Sequence, residues 1–140
     1  MGRVIDPNSA GKQRTQLIRA AALATRLLQS KSAMDAEARD LAAFISFTLA
    51  AIFSSVEPSV HAWEKRGYWV KADQFRLEWQ WTGNLGIEMA EALQSDDWIA
   101  VKNNVERVQK KLGNVKISAR HRMGTPWVGT WDILQKKQSD

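Results

Sequence analysis

The chain has 140 residues, 44 % of them hydrophobic, a formal net charge of +5 and no cysteine. This is enough apolar material for one ordinary domain with its own core. The lack of cysteine excludes disulfides and thiolate metal sites, and it fits a reducing, cytoplasmic setting.

Charge is segregated along the chain. Residues 1–34 sum to +5, residues 35–95 to −4, residues 96–114 to +1 and residues 115–140 to +3. Basic ends around an acidic middle point to an anionic partner, or to attraction between subunits.

Residues 1–11 read as an N-terminal arm. Asp6, Pro7, Asn8 and Ser9 are turn formers, Gly11 follows, and the first ten residues hold no apolar stretch of the kind a signal peptide needs. From Lys12 to Ser30, Leu17, Ala20, Ala21, Ala24, Leu27 and Leu28 recur at helical spacing. Ser32 is the expected N-cap of a second helix, with Asp35 and Glu37 in its first turn.

Leu41, Ile45, Leu49, Ile52 and Val56 form the strongest apolar stripe in the chain, and Phe44, Phe47 and Phe53 face other directions. A helix apolar on most sides is surrounded by others, so this one belongs at the centre of a bundle. Its sixteen uncharged residues, Leu41 to Val56, include four Ser or Thr. That run falls short of the ~20 apolar residues of a spanning helix, and no membrane association is expected. Pro58 is expected to end this helix or to open a brief one over 59–66, which Gly67 breaks.

A third helix is predicted from Tyr68 to Gln94, with Gly83 and Gly86 inside it. Close packing on a neighbour justifies such glycines; otherwise the helix breaks near Thr82–Asn84. A fourth follows, capped by Ser95 and ended by Gly113, with Trp98, Val101, Val105, Val108 and Leu112 as its apolar seam. The tail from Val115 to Asp140 loses the helical period. The fold expected is all-α: four main helices in a bundle over 12–114, and an irregular, basic, Trp-containing tail over 115–140.

Two basic stretches are candidates for phosphate contact. Lys12, Arg19 and Arg26 stand seven apart and so share a helix face, with Arg14 nearby. Lys116, Arg120 and Arg122 precede Trp127, whose ring is a candidate for stacking on an unpaired base. Solvated helix faces and a tail pinned by its tryptophans are the plainer alternatives.

The chain has seven tryptophans. On the third helix Val70, Leu77 and Trp81 form a second apolar stripe, away from the Ala72, Phe75 and Trp79 face. The tail, the 57–67 segment or another subunit must cover it. Residues 63–71 alternate aromatic and charged side chains, either as a recognition surface or as a corner where basic stems lie on rings.

Catalytic patterns are sparse. Glu57, His61 and Glu64 share one face if helical, a conceivable metal trio, but the paired Glu-x-x-His pattern of di-iron bundles is missing. Gly11-Lys12 lacks the Ser or Thr that closes a phosphate loop. No cofactor or small-molecule substrate is implied.

In size, helicity and charge the chain resembles small basic helical subunits of larger nucleoprotein assemblies, such as those of RNA-guided complexes. No motif is shared. The expectation is therefore a non-enzymatic helical adaptor that contacts nucleic acid through its basic ends. A protein-assembly subunit using the Val70/Leu77/Trp81 stripe comes second, and a metal-dependent bundle enzyme third.

Overall fold

A computed structural model describes residues 7–139. Five helices follow one another: α1 (Pro7–Gln29), α2 (Ala36–Lys65), α3 (Trp69–Gln94), α4 (Trp98–Leu112) and α5 (Thr130–Ser139). No strand occurs among the described residues. The fold is the expected all-α bundle, with a fifth helix in the tail.

The boundaries differ from the sequence reading at several points. Residues 7–11 already belong to α1, because Pro7 suits a first helical turn; the rest of the expected arm, residues 1–6, lies outside the described residues. Asp35, not Ser32, caps α2, its carboxylate accepting the Ala38 N–H at 2.8 Å. Asp97, not Ser95, caps α4 through the Ala100 N–H at 3.0 Å. Pro58 neither ends α2 nor opens another helix; it sits inside a continuous helix of 30 residues.

The central role of α2 follows from its stripe. Leu41, Ile45, Leu49, Ile52 and Val56 are all buried. α2 meets α1, α3 and α5, most extensively α3. Gly86 sets that approach: a Cβ there would stand 3.3 Å from both the Leu49 Cβ and the Ser46 carbonyl. The Ser46 hydroxyl donates to the Gly86 carbonyl at 2.9 Å across the same contact. α3 therefore runs unbroken through both of its glycines.

Among the described residues α2 is the one helix long and apolar enough to cross a membrane, and 56 % of its apolar window is buried within the bundle. That burial places it at the core of the bundle. α4 covers one side with Val101, Val105, Val108 and Leu112 buried and its charged face outward.

The tail folds back on α2. Trp127, Trp131 and Leu134 stand four and then three apart, one face of a helix turn and its entry. Trp127 and Leu134 join the core and Trp131 packs against it. The Asp40 carboxylate accepts the N–H groups of Gly129 and Trp131, at 3.1 and 3.0 Å, capping the start of α5.

Candidate nucleic-acid interface

The continuity of α1 places Lys12, Arg19 and Arg26 on one face, at steps of ~10 Å along the axis. Lys12 is exposed, and Arg19 and Arg26 are half-buried along their stems.

Arg14 does not belong to this face, which corrects its place among the expected binding residues. It shares the seven-residue row of Ala21 and Leu28, both fully buried, and so turns inward. Its guanidinium donates to the Ser55 carbonyl at 2.9 Å and reaches the Ser55 and Ser59 hydroxyls at 3.3 and 3.4 Å. It also lies 4.8 Å over the Phe75 ring. Burial lowers the Arg14 pKa below the ordinary arginine value, and Glu78 pulls it partly back. Ser55 is one residue along from the Ser54 carbonyl, which Pro58 cannot serve as a helical donor. Arg14 lies beside that point, bonding Ser55 before the proline and Ser59 after it.

Arg26 has a bridging role. Its Nη2 donates to the carbonyl of Val115, fastening the start of the post-α4 segment to the end of α1. Lys116 follows directly, then Arg120 and Arg122, all three exposed. A local turn shapes this segment: the His121 N–H donates to the Ser118 carbonyl at 3.1 Å and the Arg120 N–H to the Ser118 hydroxyl at 3.1 Å. The 115–122 segment in this way starts at the last turn of α1, where the Lys12, Arg19, Arg26 row ends.

Among the described residues no carboxylate is paired with these charges. The bases in ion pairs among the described residues are Lys31, Arg39, Arg76 and Arg107. None is Lys12, Arg19, Lys116, Arg120 or Arg122.

Trp127 is corrected. It is buried, 6 % exposed, with its ring edge-on to Phe44 at 6.5 Å. The apolar spacing of the tail recruits it to the core, so its face is closed to a nucleic-acid base.

The second apolar stripe separates into two environments. Trp81 is half-buried against the main core, stacked near Trp79 at 6.4 Å and facing Arg107 and Lys110 of α4. Val70 and Leu77 are 72 % and 71 % exposed. The tail lies on α2 and leaves them open. Sequence reasoning missed Phe53 and Ile87, which are also exposed. Ile87 lies ten residues beyond Leu77, about 80° round the helix from it and so on the same broad side, and that spacing was the available signal.

Glu57, His61 and Glu64 do not form a metal trio. Arg76 takes both carboxylates, Glu57 at 3.4 Å and Glu64 at 3.3 Å, and also meets Asp73 at 3.4 Å. The Glu57 contact, with Glu64 behind it, raises the Arg76 pKa. Among the described residues no group of three His, Cys, Asp or Glu is placed to hold a metal ion. In residues 63–71 one basic stem lies on a ring, the Lys71 ammonium 5.0 Å from the centre of Trp63, which meets Phe75 edge-on at 4.8 Å, while Tyr68 and Trp69 are exposed.

Comparison with protein families, with curated proteins and with solved structures finds no match to this chain.

Proposed function

We propose that this chain is a non-enzymatic, cytoplasmic helical adaptor that binds nucleic acid through phosphate contacts, as a small subunit of a nucleoprotein complex. Lys12, Arg19, Lys116, Arg120 and Arg122 supply the cations, and Arg26 positions the second group beside the first. The observation that carries this reading is the Arg26–Val115 hydrogen bond. It brings the start of the 115–122 segment onto the last turn of α1, at the end of the Lys12, Arg19, Arg26 row, with no carboxylate of the described residues paired to these bases.

Neither a groove-reading element nor an exposed ring stands among these bases, so binding is sequence-independent and backbone-directed. Its free energy comes from counterion release. Five phosphate contacts on a duplex correspond to a slope of roughly −4 to −5 in log K against log salt.

The test is a fluorescence-anisotropy titration with single- and double-stranded DNA and RNA across a salt series. Arg19→Glu combined with Lys116→Glu is expected to abolish binding, and Arg107→Glu, whose guanidinium is already paired with Glu88, to leave it intact. No binding to any of the four nucleic acids at low salt removes the proposal.

A further inference from the structure

The corner between α2 and α3 keeps two aromatic side chains outside the core. Six of the seven tryptophans pack on the hydrophobic clusters of the bundle, and Trp69 is the exception. It is 60 % exposed, beside Tyr68 at 55 %. Neither ring has a ring or cation partner among the described residues.

The backbone fixes this corner. The Tyr68 N–H donates to the Trp63 carbonyl at 2.9 Å, and the Gly67 N–H to the Glu64 carbonyl at 3.0 Å. Gly67 takes the left-handed conformation that such a helix ending needs, with φ at 80°. The rings are presented on a preformed turn, so a ligand meets little ordering cost in the backbone.

Cations stand beside the rings. Residues 64–76 hold four bases and two acids, and both acids, Glu64 and Asp73, are on Arg76 at 3.3 and 3.4 Å. Lys65, Arg66 and Lys71 are exposed and have no carboxylate partner among the described residues. Tyr68, Trp69 and Lys71 border one recess of about 600 Å³. Open ring faces next to unpaired cations are what a single strand uses, the rings for its bases and the charges for its phosphates.

The corner lies at the end of the bundle where α1 begins. Arg14, two residues after Lys12, lies over Phe75; Phe75 meets Trp63, and Trp63 carries the Lys71 ammonium. From this end the Lys12, Arg19, Arg26 row runs ~21 Å along α1. An anionic bilayer resting on the corner would leave most of that row and residues 115–122 unused, whereas a flexible strand can follow them.

We infer that the 65–71 corner is a stacking platform for unpaired bases. Tyr68 and Trp69 take the base faces, and Lys65, Arg66 and Lys71 the adjoining phosphates. This rests on the nucleic-acid reading above and adds to it a contact that only a single strand can make, because bases in a duplex already stack on each other.

The test compares the affinity of the full chain for oligo(dT), for its duplex with oligo(dA), and for an abasic strand of the same length. Oligo(dT) is expected to bind tighter than the abasic strand. Trp69→Ala, with helicity unchanged by circular dichroism, is expected to weaken oligo(dT) binding roughly ten-fold, the scale of one base lost from one ring. The same variant leaves the duplex and the abasic strand as they were, and Trp69→Phe recovers most of the loss. Stacking releases no counterions, so Trp69→Ala keeps the slope of log K against log salt. Lys65→Ala with Arg66→Ala reduces that slope on oligo(dT) by roughly 1.4, at about 0.7 per phosphate.

No binding of any probe removes both the phosphate reading and the platform. Binding of every probe, unaltered by Trp69→Ala, keeps the phosphate contacts and overturns the platform. So does equal affinity for oligo(dT) and the abasic strand combined with Trp69-dependent sedimentation on phosphatidylserine vesicles, which assigns the corner to a lipid surface.

Discussion

The carboxylate of Asp40 accepts the backbone N–H of Trp131 at 3.0 Å, across 91 positions of sequence. The same carboxylate takes the Gly129 N–H at 3.1 Å, and the Thr130 hydroxyl donates to the Asp40 carbonyl at 2.6 Å. One side chain of the central helix thereby serves as the N-terminal cap of the last helix. Asp40→Ala removes two acceptors from α5 and is expected to cost about 1 kcal/mol, the usual size of a lost cap. Urea unfolding reads that loss, and early proteolysis after residue 125 locates it.

Trp127 separates folding from binding. Its burial against Phe44 predicts that Trp127→Ala destabilises the chain by about 3–5 kcal/mol, the range for a large aromatic removed from a core. At a temperature where the variant is folded, its affinity for nucleic acid is expected to match that of the unaltered chain. A variant that keeps its stability and loses affinity would return the ring to the binding surface.

Gly86 and Gly83 are expected to respond differently to alanine. In a helix interior the substitution favours folding by about 1 kcal/mol through backbone entropy. At Gly86 the new methyl meets the Leu49 Cβ and the Ser46 carbonyl at 3.3 Å, neither of which moves without shifting α2. Overpacking of about 1–3 kcal/mol outweighs the gain, and the midpoint of denaturation falls. At Gly83 the neighbour is the Phe53 ring, half exposed and free to swing outward, so Gly83→Ala leaves stability nearly unchanged.

Asp35 sets an acid limit on α2. The Lys31 ammonium, at 2.9 Å, and then the Ala38 N–H hold its pKa below the ordinary 3.8. The cap stabilises the folded chain above that ordinary value and is lost as pH falls through the lower folded one. Lys31, paired with Glu37 and Asp35, has its pKa raised above 10.5, so its share is present below 10.5 and lost as pH rises through the folded value. Asp35→Asn keeps an acceptor at the cap and removes the titration. Urea midpoints measured from neutral pH downward are expected to fall less steeply in that variant.

The parts of the fold legible in the sequence are those governed by local periodicity. The Leu41 to Val56 stripe and the Val101 to Leu112 seam are each determined by side chains within a few turns of one another, and both are buried. Cap choice was less legible, because Ser32, Asp35, Ser95 and Asp97 are all good caps, and the turn geometry selects among them. The docking of the tail was not legible, since Asp40 looks like any surface acid until α5 arrives. Its own signal was the Trp127, Trp131, Leu134 spacing, closed by Lys136 and Lys137 at the helix end.

The basic residues show the same division. Arg14 was distinguishable in advance, because it stands seven residues before Ala21 and fourteen before Leu28, on an apolar row. Arg26 was not, because its partner is a backbone carbonyl 89 positions away.

The inward turn of Arg14 has a consequence for how the proline in α2 is tolerated. A proline deep in a long helix usually bends it or divides it. Here a cation from the neighbouring rod joins the two sides of the proline, on the Ser55 carbonyl before it and the Ser59 hydroxyl after it, so the longest helix is tied to α1 at its weakest point.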